Sequence, residues 1–153
     1  MGFFNKLFRS DNNVAPADAA SASPEAATAG AVLAELDIDQ AVVAHENWKT
    51  RLLAVMDGTA AESPDPAVVC LDDHCDLGRW LNGPGQARLG KYPAFSVLVA
   101  RHRHFHQEAA TVLSLAQAGE RDKAEQKLQS GYRHASNQVV LLLKELKRGL
   151  GLR

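Results

Sequence analysis

Helical periodicity dominates this chain from about Ala31 almost to its C-terminus. Apolar residues there recur at spacings of three and four, which is the pattern of helices that bury one face. The pattern predicts three long helices, over residues 32–57, 93–118 and 121–148. Because no strand-like alternation of useful length accompanies them, these helices bury their apolar faces best against one another. We therefore predict an all-α fold, an up-down bundle of three long helices with shorter helical segments between them.

The chain between the first two long helices is predicted to hold a loop and short helices. Residues 58–66 contain one glycine and two prolines, which predict a loop. Residues 67–76 begin with an apolar run that can start a short helix, and a further short helix is predicted over residues 77–82. The breaker cluster Asn82-Gly83-Pro84-Gly85 is expected to end it.

Two segments precede the predicted bundle domain of residues 31–153. Residues 10–30 are dominated by Ala, Ser, Asp and Pro, and we predict a flexible linker because such a segment buries too little surface to offset its ordering entropy. Residues 1–9 interleave four large apolar side chains with Lys6 and Arg9. That pattern favours a short amphipathic contact with a membrane surface or a partner's groove, and a frayed terminus is the alternative. The segment does not fit a signal peptide.

Composition excludes several classes of protein. A length of 153 residues suits one domain with a tail. A formal net charge of −1 gives no electrostatic footprint for nucleic acid, and no apolar run approaches the roughly 18 residues of a membrane span. Two cysteines cannot form a disulfide framework, and together with six histidines they point to a reducing compartment or a metal. We predict a cytoplasmic protein that reaches a membrane, if at all, through residues 1–9.

Three histidines are predicted to face the core. His102 and His106 lie four residues apart, about 40° around one helix, and two imidazoles at that spacing can bind one ion. His45 lies on the apolar face of the first long helix, near Trp48. Three neutral imidazoles packed in a core have lone pairs that need a partner, which an ion supplies. A hydrogen-bonded core histidine is the alternative for each of them.

The remaining histidines and the two cysteines are less informative. Cys75 stands just before the short helix that carries Trp80 and can point at the bundle, although a small buried hydrophobe is the alternative. Cys70 is interpreted as a core residue, because a Cys-x4-Cys spacing is not a zinc knuckle. Three histidines are predicted to face outward: His74, His104 and His134.

Four short motifs follow one another in the order His45-x-x-Trp48, Cys75-x-Leu77-Gly78, Trp80-Leu81 and His102-x-x-Phe105-His106. Together they resemble the chemoreceptor zinc-binding (CZB) domain family of bacteria, over about residues 38–146. The resemblance implies a helical bundle that holds one zinc ion through three histidines and one cysteine. Carried over to this chain, the zinc ligands are His45, Cys75, His102 and His106.

The resemblance also implies a homodimer and a sensory role, for zinc or for hypochlorous acid through the zinc-bound cysteine. Domains of this family usually belong to chemoreceptors or diguanylate cyclases. This chain has no room for a cyclase domain or a long methyl-accepting coiled coil, so it resembles a stand-alone member. We therefore expect the signal to pass to a protein partner in a chemoreceptor or cyclase system.

A site of three histidines and one cysteine fills the four positions of tetrahedral zinc. It leaves no position for an activated water, so we expect a sensor and not an enzyme. Coordination would hold Cys75 as a thiolate, the oxidisable form, which makes Cys75 the predicted redox switch. Cys70 is a candidate to resolve oxidised Cys75 as a disulfide.

Two other functional classes stay open at the level of sequence. A di-iron enzyme or oxygen carrier on a helical bundle needs inward-facing glutamates and Glu-x-x-His pairs. The nearest candidates, Glu46 and Glu108, are poorly placed by helical phase. A metal-free dimerisation or adaptor bundle is the other class, and it predicts that metal removal leaves stability unchanged.

Overall fold

The computed structural model of the protein describes residues 24–151, and over that range it contains helices and no strands. The all-α helical bundle predicted from the periodicity is confirmed. Residues 1–9 and residues 10–23 of the predicted linker lie outside the described range. The last part of that predicted linker, residues 24–30, belongs to a helix.

The helices follow in the order α1 (Pro24–Glu35), α2 (Ile38–Asp57), α3 (Pro66–Val69), α4 (Asp76–Leu81), α5 (Pro84–Leu89), α6 (Pro93–Gln117), α7 (Arg121–Lys127), a π-helical turn (Leu128–Tyr132) and α8 (Arg133–Gly149).

The helix predicted over residues 32–57 is in fact two helices, α1 and α2. Asp37 between them has an extended backbone, and its carboxylate accepts a hydrogen bond of 3.0 Å from the backbone N–H of Gln40. Asp37 is therefore the N-cap of α2. The break escaped the periodicity because buried apolar residues stand on both sides of it, Leu36 before and Ile38 after. Gly58 ends α2 in a left-handed conformation with φ of 70°, as predicted.

The breaker cluster at residues 82–85 ends α4, and it also begins a helix that was not predicted, α5. Pro84 lies in the first turn of α5, where its missing N–H costs nothing. Gly85 packs so closely on Trp80 that an added Cβ would come within 2.8 Å of the indole. The two short helices therefore form a closely packed pair.

The central element is α6, which packs against α2, α3, α7 and α8. The helix predicted over residues 121–148 is present as α7, the π-helical turn and α8 in continuous succession. The side chains of Phe95, Leu98 and Phe105 on α6 are at most 1% exposed and lie in one hydrophobic core with Leu52 and Leu143. This core fixes α2 against α6. No described helix is both long enough and apolar enough to cross a membrane.

Candidate metal centre

Four side chains from three parts of the chain point at one place: His45, Cys75, His102 and His106. One ligand atom from each lies within 4.8 Å of all the others. Nε2 of His102 lies 3.1 Å from Nε2 of both His45 and His106, and Sγ of Cys75 lies 3.3 Å and 3.6 Å from Nε2 of His102 and His106. Tetrahedral zinc, with bonds of about 2.0–2.3 Å, separates its ligand atoms by about 3.3–3.6 Å. These four distances are within a few tenths of an ångström of that geometry.

Helix packing brings the four residues together. His102 and His106 lie one turn apart on α6, and His45 faces them from α2. Phe105 packs beside two of the imidazoles, with its ring centroid 5.1 Å from that of His45 and 5.5 Å from that of His106. The histidines are at most 3% exposed, so the rigid core around α6 positions them.

Backbone carbonyls orient two of the imidazoles. Nδ1 of His45 lies 2.6 Å from the carbonyl oxygen of Ala41, and Nδ1 of His106 lies 2.9 Å from that of Val69. A carbonyl accepts only from a protonated nitrogen, so Nδ1 carries the proton and Nε2 presents its lone pair to the cluster. Lone pairs that face one another repel unless a cation lies between them. The donor set therefore fits a metal ion better than a hydrogen-bonded core.

Burial sets the protonation of the cluster when no metal is bound. It lowers the pKa of His45 to about 4 and that of His102 to about 2, and it also lowers the pKa of His106. Burial raises the pKa of the Cys75 thiol. The histidines are thus held neutral, as a metal ligand requires. A cation at the cluster favours the thiolate form of Cys75 and acts against the burial effect.

Cys75 is also the N-cap of α4. Its backbone is extended, and its Sγ accepts a hydrogen bond of 3.3 Å from the backbone N–H of Gly78. A Cβ on Gly78 would overlap the carbonyl oxygen of Asp72, so only glycine lets α4 lie this close to the preceding loop. The sequence placed Cys75 ahead of a short helix, but the capping role was not foreseen, because cysteine is not a usual N-cap residue.

A groove of about 1100 Å³ opens the site to solvent. Cys75, His45 and His106 are among its lining residues, together with half-buried Trp48. The guanidinium of Arg51 lies 4.0 Å from the centroid of the Trp48 ring. Among the described residues, Cys75 is therefore the member of the cluster that is most open to this groove.

The other histidines and the second cysteine lie outside the cluster. His74 and His134 are exposed, and His104 is half-exposed at 3.9 Å from Glu108. Cys70 was predicted to be a core residue, and this was wrong: it is exposed. The short helix α3 ends just before Cys70 and buries Val69 instead, which the apolar run alone could not decide.

The two glutamates considered for a di-iron site also lie outside the cluster. Glu46 is exposed, whereas Glu108 is 9% exposed and faces Lys127 at 2.9 Å. Their absence from the cluster agrees with the helical phase argument. The burial of Glu108 was not foreseen, because it depends on the packing of α7 against α6.

Residues 45–113 match the family model described as the chemoreceptor zinc-binding domain. The matched region begins at His45 and extends past His106, so it contains all four residues of the cluster. No curated protein and no solved structure is significantly similar to the chain.

Proposed function

The chain belongs to the chemoreceptor zinc-binding domain family through residues 45–113, and on this basis we propose that it is a zinc-binding sensor whose Cys75 is both ligand and switch. The observation that carries the proposal is the convergence of His45, Cys75, His102 and His106 within 4.8 Å. The family is a sensory one and is not known as an enzyme family. Bound zinc would supply the positive charge that keeps Cys75 a thiolate and would join α2, α6 and the start of α4.

The four residues differ in how firmly the fold holds them. His45 and His106 are fixed by carbonyl hydrogen bonds on long helices. Cys75 precedes a helix of six residues and is partly exposed to the groove. Cys75 is therefore the ligand that can leave the cluster while the histidines stay in place.

Hypochlorous acid is the oxidant class that we propose for this switch. The Cys75 thiolate attacks the chlorine atom and releases hydroxide, and water then displaces chloride from sulfur with loss of a proton to give the sulfenic acid. Sulfur loses two electrons and chlorine gains two, so the thiolate and HOCl give the sulfenic acid and chloride. The sulfenic acid lacks the thiolate's negative charge and binds zinc less well. Zinc depletion would free the same side chain without oxidation.

The energy available is sufficient for a switch. A structural zinc ion contributes on the order of 10 kcal/mol. A change of about 5.5 kcal/mol moves a two-state equilibrium from 1:99 to 99:1. Gain or loss of the ion can therefore change which arrangement of α4 dominates.

Metal content tests the proposal directly. We expect about one zinc per chain in protein purified without a metal-affinity tag, measured by inductively coupled plasma mass spectrometry. Cys75→Ala should retain much less zinc, whereas Cys70→Ala should match the wild type. Wild-type protein that carries no zinc and takes up none would overturn the proposal.

A second experiment tests the redox step. We expect limiting hypochlorous acid to release zinc from the wild type and to add one oxygen atom to Cys75, detected by a chromogenic chelator and peptide mass spectrometry. If the zinc content of the wild type is the same with and without the oxidant, the oxidant response is contradicted, and zinc sensing is left as the function. The same mass spectra test Cys70, which has no part in the switch if no cross-link joins residues 70 and 75.

We also propose that the sensor works as a homodimer and passes its signal to a protein partner in the cytoplasm, with residues 1–9 as a contact to that partner or to a membrane. The exposed apolar side chains of Val43 and Leu53 on α2 and Leu141 on α8 offer apolar surface that a second copy could cover. Sedimentation equilibrium checks this, and a monomer at all concentrations would contradict it. Unchanged cellular distribution after deletion of residues 1–9 would show that they make no such contact.

A further inference from the structure

One carboxylate joins three helices near the metal centre. Glu35 is the last residue of α1, and its Oε2 accepts a hydrogen bond of 3.3 Å from the indole N–H of Trp80 on α4. Its Oε1 accepts from Arg88 on α5, at 2.7 Å from Nε and 2.6 Å from a terminal guanidinium nitrogen. Such charge-assisted contacts are stronger than neutral hydrogen bonds. We call the group Glu35, Trp80 and Arg88 the α1 clamp.

The α1 clamp is connected to Cys75 through helix α4. Trp80 lies within the six-residue helix that Cys75 caps, and it is 4% exposed, against Phe95 of α6 and Gly85 of α5. Helix α4 has six residues, which is fewer than two turns. A displacement of its Cys75 end therefore displaces the Trp80 indole that contacts Glu35.

Among the described elements, helix α1 packs chiefly against α5. Of the side chains described on α1, Val32 is fully buried and Ala29 partly buried, and Leu36 is buried just after the helix. A Cβ on Gly30 would meet no atom of the described residues within 4 Å. An isolated helix of 12 residues is marginal in water. The stability of α1 thus depends on the α4–α5 pair and on the α1 clamp.

We propose that α1 is the element that reports the state of Cys75, and that Glu35 is the positioning residue that couples the two through Trp80. This inference rests on the proposed function, because it takes the departure of Cys75 from the cluster as the input. When Cys75 leaves, α4 moves, the bond between Trp80 and Glu35 opens, and α1 separates from α5. The output is then a helix whose folding follows the metal centre, since Glu35, Trp80 and Cys75 line the same groove.

Hydrogen–deuterium exchange of the full chain tests the coupling. We compare zinc-loaded protein with protein from which a chelator has removed the zinc, and measure backbone amides in α1, α4 and α8. Zinc removal should raise exchange in α4 and in α1 by at least about tenfold, which is about 1.4 kcal/mol of opening free energy. The amides of α8 should change much less.

Two variants separate coupling from general destabilisation. In Glu35→Ala, α1 should exchange fast with and without zinc, while α4 still responds and zinc content stays as in the wild type. Glu35→Gln keeps an acceptor for the indole but loses the charge. Its exchange rate in α1 should therefore lie between those of the wild type and Glu35→Ala. The matched control is Asp39→Ala, which removes another carboxylate–cation contact between helices, Asp39 with Lys147 at 2.7 Å, and should leave the α1 response intact.

The outcomes distinguish this inference from the proposed function. If α4 responds to zinc removal and α1 does not, the coupling is wrong and the zinc switch stands. An α1 response that persists in Glu35→Ala shows that another residue carries the coupling and overturns the role of Glu35. If neither helix responds, both the coupling and the proposed switch are wrong.

Discussion

His102 is the imidazole of the cluster for which the described structure shows no backbone carbonyl partner, although its position is the most central. Its Nε2 lies 3.1 Å from the nearest nitrogen of both other histidines. Its Nδ1 is buried and has no hydrogen-bond partner within the described part of the chain. The orientation of His102 therefore depends on packing and on the ion, whereas His45 and His106 are also held by carbonyls.

Replacement of His102 should abolish high-affinity zinc binding. Loss of a group that orients a metal ligand costs about 10–100-fold in metal affinity. Loss of a ligand itself should cost more than that. We expect His102→Ala to lower zinc affinity by more than about 100-fold in a chelator competition assay. His104→Ala on the same helix is the matched control and should bind zinc as the wild type does. Equal affinities of the two variants would argue against the site.

The metal-free protein should lose stability in mild acid. In the folded state without metal, burial lowers the pKa of His45 from 6.5 to about 4 and also lowers the pKa of His102 and His106. Between those values the unfolded chain binds more protons than the folded chain, so the free energy of unfolding decreases as pH falls. We expect the urea concentration at the unfolding midpoint of zinc-free protein to decrease when the pH is lowered from about 7 to about 5. A midpoint that stays constant over this range would contradict the burial of neutral histidines.

Residue identities at the centre were predictable, but their supporting contacts were not. The i, i+4 spacing of His102 and His106 and the motif around Cys75 appear in the sequence itself. The carbonyl of Val69 that orients His106 belongs to a helix of four residues, and its position depends on how α3 packs against α6. Cys70 was misassigned for the same reason, since one turn of helix decides which side of the chain faces inward.

At the scale of helices, Gly78 shows how closely α4 must approach the loop before it. An alanine Cβ there would overlap the backbone carbonyl of Asp72, which is not free to rotate away as a side chain is. We expect Gly78→Ala to lower the free energy of unfolding by about 1–3 kcal/mol and to reduce zinc retention, because Cys75 would shift with α4. Urea denaturation and metal analysis measure both effects.

Gly30→Ala is the control for that substitution. Gly30 also lies within a helix, but an added Cβ would meet nothing within 4 Å. Alanine is favoured over glycine in a helix interior by about 1 kcal/mol, so this variant should be neutral or slightly more stable, with normal zinc content. A similar loss of stability in both variants would mean that close packing at Gly78 is not the cause.

The differences between predicted and observed helices have local causes. The division of α1 from α2 depends on the cap at Asp37, and α5 depends on Pro84 starting a helix inside a breaker cluster. The π-helical turn at Leu128–Tyr132 lies where Gly131 lets the carboxylate of Glu108 pack against its backbone. None of these features alters the apolar period, which is why the three long helices were predictable and their interruptions were not.

At the scale of the molecule, the metal centre and the main core are adjacent but separate. Leu98, Leu113, Val139 and Leu143 are fully buried on α6 and α8, and none of them belongs to the cluster. The bundle therefore has buried apolar packing between α6 and α8 that includes no residue of the cluster. The periodicity could predict this core and its fold class, because both follow from which faces are apolar.

Zinc removal should weaken the protein without unfolding it. We expect helicity by circular dichroism to fall only slightly, and the thermal midpoint to fall by at least about 10 °C, since 1 kcal/mol shifts the midpoint of a chain this size by roughly 3–4 °C and zinc contributes several kcal/mol. Zinc should restore the midpoint, whereas magnesium, which prefers oxygen ligands, should not. An unchanged midpoint after complete zinc removal would favour a metal-free adaptor bundle.

The groove beside Cys75 has a kinetic consequence. A site sealed inside a bundle exchanges its contents only as fast as the whole molecule unfolds, and for small domains that takes from seconds to days. Here Cys75 already borders solvent, and its helix is short. We therefore expect metal exchange to follow local opening of α4, and motions of that kind take microseconds to seconds. In the proposed sensor, metal entry and release would therefore not wait for global unfolding of the bundle.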